Sequence, residues 1–223
     1  MVRAAEASDL DILAITDHLW EPYQHPDWLE AARSSIREAM PKIPVLLGVE
    51  LTGTRTGKVE VCEELRRSVD LVLCEHPLPS SSEGGVSEYL ERVKEGIEYV
   101  VSIPKVDVLV HPLNLGRSGV VKDFRYLSRD FLDEVASIIG GSGVIVEVMS
   151  QMYWWFPFMT VSSFTEAYTG FIKLCRHHGA RFSIGSDAHS ACGVGNIRWA
   201  LKVLEKAGVT LDEIWLPSQS ARR

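Results

Sequence analysis

The chain lacks any apolar run near the ~20 residues that a helix needs to cross a bilayer. Cysteine is scarce. Cys62, Cys74, Cys175 and Cys192 form no CxxC pair, which argues against a cysteine-based zinc site and fits reduced thiols in a cytoplasmic protein. Positive charge is also short. Lys and Arg number 23 against 30 Asp and Glu, a net charge of -7. That balance lacks the basic footprint of a binder of long nucleic acid or of an anionic membrane. The opening residues MVRAAEASDL carry no apolar core of a secretion signal. No repeat, low-complexity tract or charge block divides the chain. Its 223 residues read as one domain, 1–223.

What the sequence does have is an alternation of short β-rich runs and longer helical patterns. Strands are expected at Leu10–Thr16, Val45–Leu51, Leu71–Glu75, Val106–His111, Val144–Met149, Arg181–Ser186 and, weakly, Glu213–Leu216. Most are continuous apolar runs, the mark of strands covered on both faces. Helical stripes run through Ser87–Val101, Phe131–Ile139 and Val194–Ala207, with Gly208 placed to stop the last. Strand–helix alternation predicts an α/β fold on a parallel sheet, either doubly wound or a βα barrel. Polar residues follow many different strands, and only a barrel brings all those ends to one mouth.

Those polar residues are mostly histidines and carboxylates. Of seven histidines, His18, His76, His111 and His189 fall at or within three residues of strand ends, in AITDH, LVLCEH, DVLVH and SIGSDAH. Glu50 holds the same place in LLGVE, and Asp17 and Asp187 flank His18 and His189. A mixed His/Asp/Glu set without cysteine suits an open catalytic metal site rather than a closed structural one. Two metals a few ångströms apart activate water and hold phosphoryl oxygens.

The ordered segments LDILAITDH, LLGVEL, LVLCEH, VDVLVHP and SIGSDAH resemble the polymerase and histidinol phosphatase (PHP) superfamily from residue 1 to about 208. The resemblance implies a distorted (βα)7, TIM-like barrel that hydrolyses a small phosphate ester with two or three divalent ions such as Zn, Mn or Fe. It assigns His18, Glu50, His76, His111, Asp187 and His189 as metal ligands, with Asp187, His189 and His111 at the chemistry. Asp17 is expected either to orient His18 or to serve as a structural cap. The chain departs from the family at its front. Only seventeen residues precede His18, too few for the family's first strand with its HxH pair, so that strand is expected to be missing here. The alternative that this departure leaves open is a non-catalytic, PHP-like scaffold.

Arg55, after GVELTGT, and Arg117, after HPLNLG, follow ligand-bearing strands and are candidates for phosphate. Glu147 in VIVEVMS is expected to face the barrel, either binding substrate or supporting a ligand. His25 is expected on a surface loop, and His177 and His178 at a helix end remote from the mouth. Gly193 and Gly195 either offer backbone N–H groups to an anion or serve a turn. The aromatic run Met152–Phe158 is a substrate lid, a homo-oligomer interface or core packing.

Overall fold

The computed structural model describes residues 1–20, 26–52, 59–79 and 84–217. Six parallel strands form one sheet in sequential order: β1 (Leu13–Leu19), β2 (Val45–Thr52), β3 (Leu71–Glu75), β4 (Val108–Val110), β5 (Ile145–Met149) and β6 (Phe182–Gly185). Order without reversal is barrel winding. It rules out the doubly wound frame, which needs a switch point. Among the described residues, seven helices connect the strands or flank them: α1 (Val2–Ala7), α2 (Trp28–Glu38), α3 (Glu63–Ser68), α4 (Gly85–Ser102), α5 (Arg129–Ser142), α6 (Val161–His177) and α7 (Arg198–Ala207). Among the described residues no helix is long and apolar enough to cross a membrane.

Local chemistry sets the element ends. The Ser128 and Thr160 hydroxyls accept the N–H groups of Phe131 and Ser163 at the starts of α5 and α6, the usual N-cap arrangement. Gly208 ends α7 at φ 76°, a conformation glycine adopts without strain. At the strand starts, Asp70 accepts the Leu47 N–H and Asp107 the Val72 N–H, both at 2.8 Å.

The pleat sorts the apolar residues into two clusters. Val49, Leu51, Val72, Cys74, Leu109, Val146 and Val148 face outward, where they join helix residues such as Val93, Ile97, Val135 and Phe171 in the main core. Leu46, Leu71, Leu73, Val108, Val110 and Ile145 face inward. Ile12, before β1, and Trp215, after β6, pack on that inner cluster together, so the sheet curls until its two ends share one plug. The result is a curled parallel half-barrel with a TIM-like winding. β1 and β6 do not pair with each other.

The expected weak strand at Glu213–Leu216 is corrected. Leu211–Glu213 is a 3-10 turn closed by Thr210 and Glu213 as a capping box, and only Ile214 makes a single parallel bridge, to Phe182. Turn chemistry won over β propensity there. The helix expected from Val194 begins at Arg198, because Gly195 at φ 83° first turns the chain against Ser8.

Candidate active site

Above the inner apolar layer, the same inward phase carries charge. Gly48 and Glu50 follow Leu46 on β2, Glu75 follows Leu73 on β3, and Glu147 follows Ile145 on β5. His18 on β1 lies in register with Glu50. His111 directly follows β4 and Asp187 lies two residues beyond β6. These ends open into a cavity of about 690 Å³ whose lining includes His18, Glu50, Glu75, His111, Arg117, Asp187 and His189. That volume is in the range that encloses a small molecule.

His111 stands at the centre. Its Nε2 is 3.3 Å from Glu50 Oε1 and its Nδ1 3.9 Å from Glu75 Oε1. Its backbone N–H donates to Glu147 Oε2 at 3.0 Å. Asn114 Nδ2 donates to Glu75 Oε1 at 2.8 Å and lies 3.2 Å from His111 Nδ1. His111 and Asp187 both have left-handed backbones, φ 33° and 49°, a strain that persists only where surroundings over-determine it. Part of what holds His111 is Glu147, whose carboxylate fills the space beside Gly185; a Cβ there would lie 1.8 Å from Glu147 Oε1.

Burial and mutual charge shift the acids and bases. Burial opposes ionisation of Glu50, but the neighbouring His111 ring, with His18 and Arg117, holds its carboxyl below the ordinary value. Burial likewise opposes protonation of His111, and Glu50, Glu147 and Glu75 more than offset it, so its pKa rises. Burial pushes the Glu147 carboxyl up to about 7 and raises that of Asp187. Perturbed groups gathered in one cleft are the mark of a functional site.

The positions expected from sequence fare differently. His18, Glu50, His111, Asp187 and His189 share the cavity. His76 does not line it. The residue is fully buried, with Nδ1 3.2 Å from the Pro77 carbonyl and Nε2 accepting the Leu113 N–H at 3.2 Å. Burial pushes its pKa down to about 4. Glu75 takes the cavity position on β3 instead, because the pleat turns alternate residues to opposite faces. Leu71, Leu73 and Glu75 share the inward phase of β3.

Arg117 reaches the cavity, pairs with Glu75 and lies 5.3 Å over the Trp155 ring. Asp17 Oδ1, within β1, accepts the backbone N–H of the following His18 at 2.8 Å. His178 pairs with Asp133 at 3.0 Å, on the helix side of the molecule. Gly193 and Gly195 are not in the cavity lining. Arg55 and His25 lie outside the described residues. The aromatic run divides. Met152 and Phe156 are in the core, whereas Trp154 and Trp155 line the cavity.

Three polar atoms of the lining are buried with no hydrogen bond: His18 Nδ1, Glu50 Oε1 and Thr52 Oγ1. His18 and Glu50 are register partners, and imidazole plus carboxylate is a donor pair that a first-row divalent ion satisfies. Among the described residues, no three His, Cys, Asp or Glu side chains are grouped so as to hold an ion as they stand.

No family model matches the chain. A protein of Thermoanaerobacter sp. strain X514 named a probable phosphatase is 23% identical, over 94% of this chain and 79% of its own length. Another protein so named, from Caldanaerobacter subterraneus subsp. tengcongensis, is 23% identical over 91% of this chain and 74% of its own. The crystal structure of histidinol phosphate phosphatase from Lactococcus lactis subsp. lactis, complexed with zinc, L-histidinol and phosphate, superposes with a TM-score of 0.63. It is 15% identical and covers 94% of this chain and 86% of its own. The likeness in backbone shows a shared fold.

Proposed function

We propose that the chain is a metal-dependent phosphoesterase that hydrolyses a small phosphate ester. The observation that carries this is one cavity that His18, Glu50, His111, Asp187 and His189 all line, with His18 Nδ1 buried there without a hydrogen bond and Glu50 Oε1 facing the His111 ring at 3.3 Å. The names of the relatives and of the structural neighbour point the same way. His18, Glu50, His111, Asp187 and His189 would hold divalent ions such as Zn, Mn or Fe, with Glu75 beside them in place of His76. Such ions supply an activated water and neutralise charge on phosphoryl oxygens when bound.

The chain's own residues do the rest. Arg117 offers a guanidinium fork to the phosphate at the cavity edge, held there by Glu75 and the Trp155 ring. His189 has Nδ1 at 3.0 Å from the Asp187 carbonyl oxygen. That leaves Nε2 as the nitrogen able to face an ion. Glu147 keeps the His111 backbone in its strained conformation. The competing scaffold reading draws on the lack of a ready-made ion cage among the described residues. Asp187→Ala and His111→Ala decide between them. Each should lower phosphomonoesterase turnover by about a hundredfold or more in the manganese-supplemented protein. Full activity in both variants would contradict the assignment.

A further inference from the structure

The cavity has two chemically distinct parts. Acids, imidazoles and Arg117 form one. Trp20, Trp154, Trp155, Leu78, Val120 and Met149 form much of the other. Two of the indoles are largely open, Trp20 at 54% and Trp154 at 62% exposure. Trp155 is already engaged, its edge on His111 at 5.2 Å and its face under Arg117. Trp20 stacks on the His18 ring at 4.9 Å and 22°, so its plane is fixed by a member of the polar set. Among the described residues of the lining, neutral polar groups are few: Ser118 Oγ is occupied by Tyr89, Leu115 and Val120, which leaves Thr52 and Gln151. Flat π systems stack well on open indoles.

We infer that the leaving group of the substrate is planar and π-bearing, an aryl or heteroaryl alcohol seated against Trp20 and Trp154 while its phosphate meets Arg117. The inference rests on the phosphoesterase reading, and it goes further by naming the substrate's chemical class.

The test is binding of three non-hydrolysable probes to the full chain, with and without added manganese: inorganic phosphate, benzylphosphonate and cyclohexylmethylphosphonate. The two organic probes match in size and differ in flatness. Benzylphosphonate should bind about fivefold tighter than the cyclohexyl probe. Trp20→Leu or Trp154→Leu should remove that margin, while the Phe variants keep it. Circular dichroism confirms that each variant folds. Equal affinities in the wild-type chain, or a margin that survives both Leu substitutions, would overturn the inference and leave the phosphoesterase reading standing. Failure of all three probes to bind would sink that reading, and this inference with it.

Discussion

Glu75 and His76 are neighbours at the end of β3, yet the Glu75 carboxylate lines the cavity and the His76 imidazole is buried outside its lining. Both His76 nitrogens serve backbone groups, of Pro77 and Leu113. His76→Ala should therefore cost about 1–3 kcal/mol in a urea melt, the penalty of stranding buried polar groups. It should leave ion content per chain unchanged, and a lost ion with unchanged stability would contradict this placement. Glu75→Ala should release Arg117 and raise KM about tenfold, with a smaller change in kcat. An unchanged KM would mean that Arg117 does not need its anchor. Residue types and their order at strand ends were legible in the sequence, as His18, Glu50, His111, Asp187 and His189 attest. The phase on β3 was obscured, because both faces of that strand are buried. Val72 and Cys74 on one side are as apolar as Leu71 and Leu73 on the other, so no polar alternation marks the inward face.

Between elements, the contact that matters most joins β5, β6 and the end of β4. Glu147 from β5 packs where Gly185 on β6 lacks a side chain, and from there it accepts the His111 N–H. Gly185→Ala would drive its methyl into that carboxylate. The expected outcome is a stability loss of about 2 kcal/mol from overpacking and a fall in kcat/KM of about tenfold or more from a displaced His111. Wild-type kinetics in this variant would show that His111 is held by other means. Strand existence and sequential winding were readable, since each apolar run was followed by a polar end. The strand expected at Glu213–Leu216 does not form, because its residues satisfy a capping box and a turn before a ladder can form. The division of the aromatic run was hidden, as Met152 and Phe156 find the core only through the 3-10 turn at Met152–Trp155.

At the scale of the molecule, two buried groups give opposite pH dependences. Glu147 titrates at about 7 in the fold against 4.5 ordinarily. The folded state thus binds its proton more tightly, and this term loses stability as pH rises from about 4.5 to 7. His76 falls from 6.5 to about 4, so its term loses stability as pH drops from about 6.5 to 4. Each amounts to at most ~3 kcal/mol, and they oppose one another across the shared window. Glu147→Gln removes the first. The ion-free variant should gain on wild type by up to ~3 kcal/mol as pH climbs from 4.5 to 7. A constant difference over that window would contradict the burial of Glu147 as an ionisable group.

If the strand-end residues form one metal-dependent hydrolytic site, elemental analysis of the full chain, purified without chelator or a metal-binding tag, will show it when paired with phosphate release from a phosphomonoester before and after stripping. The expected result is at least one Zn, Mn or Fe per chain, turnover that stripping abolishes and re-addition restores, and loss of both in Asp187→Ala. A chain that takes up no ion even when soaked would contradict it, as would one that turns over substrate equally well when stripped.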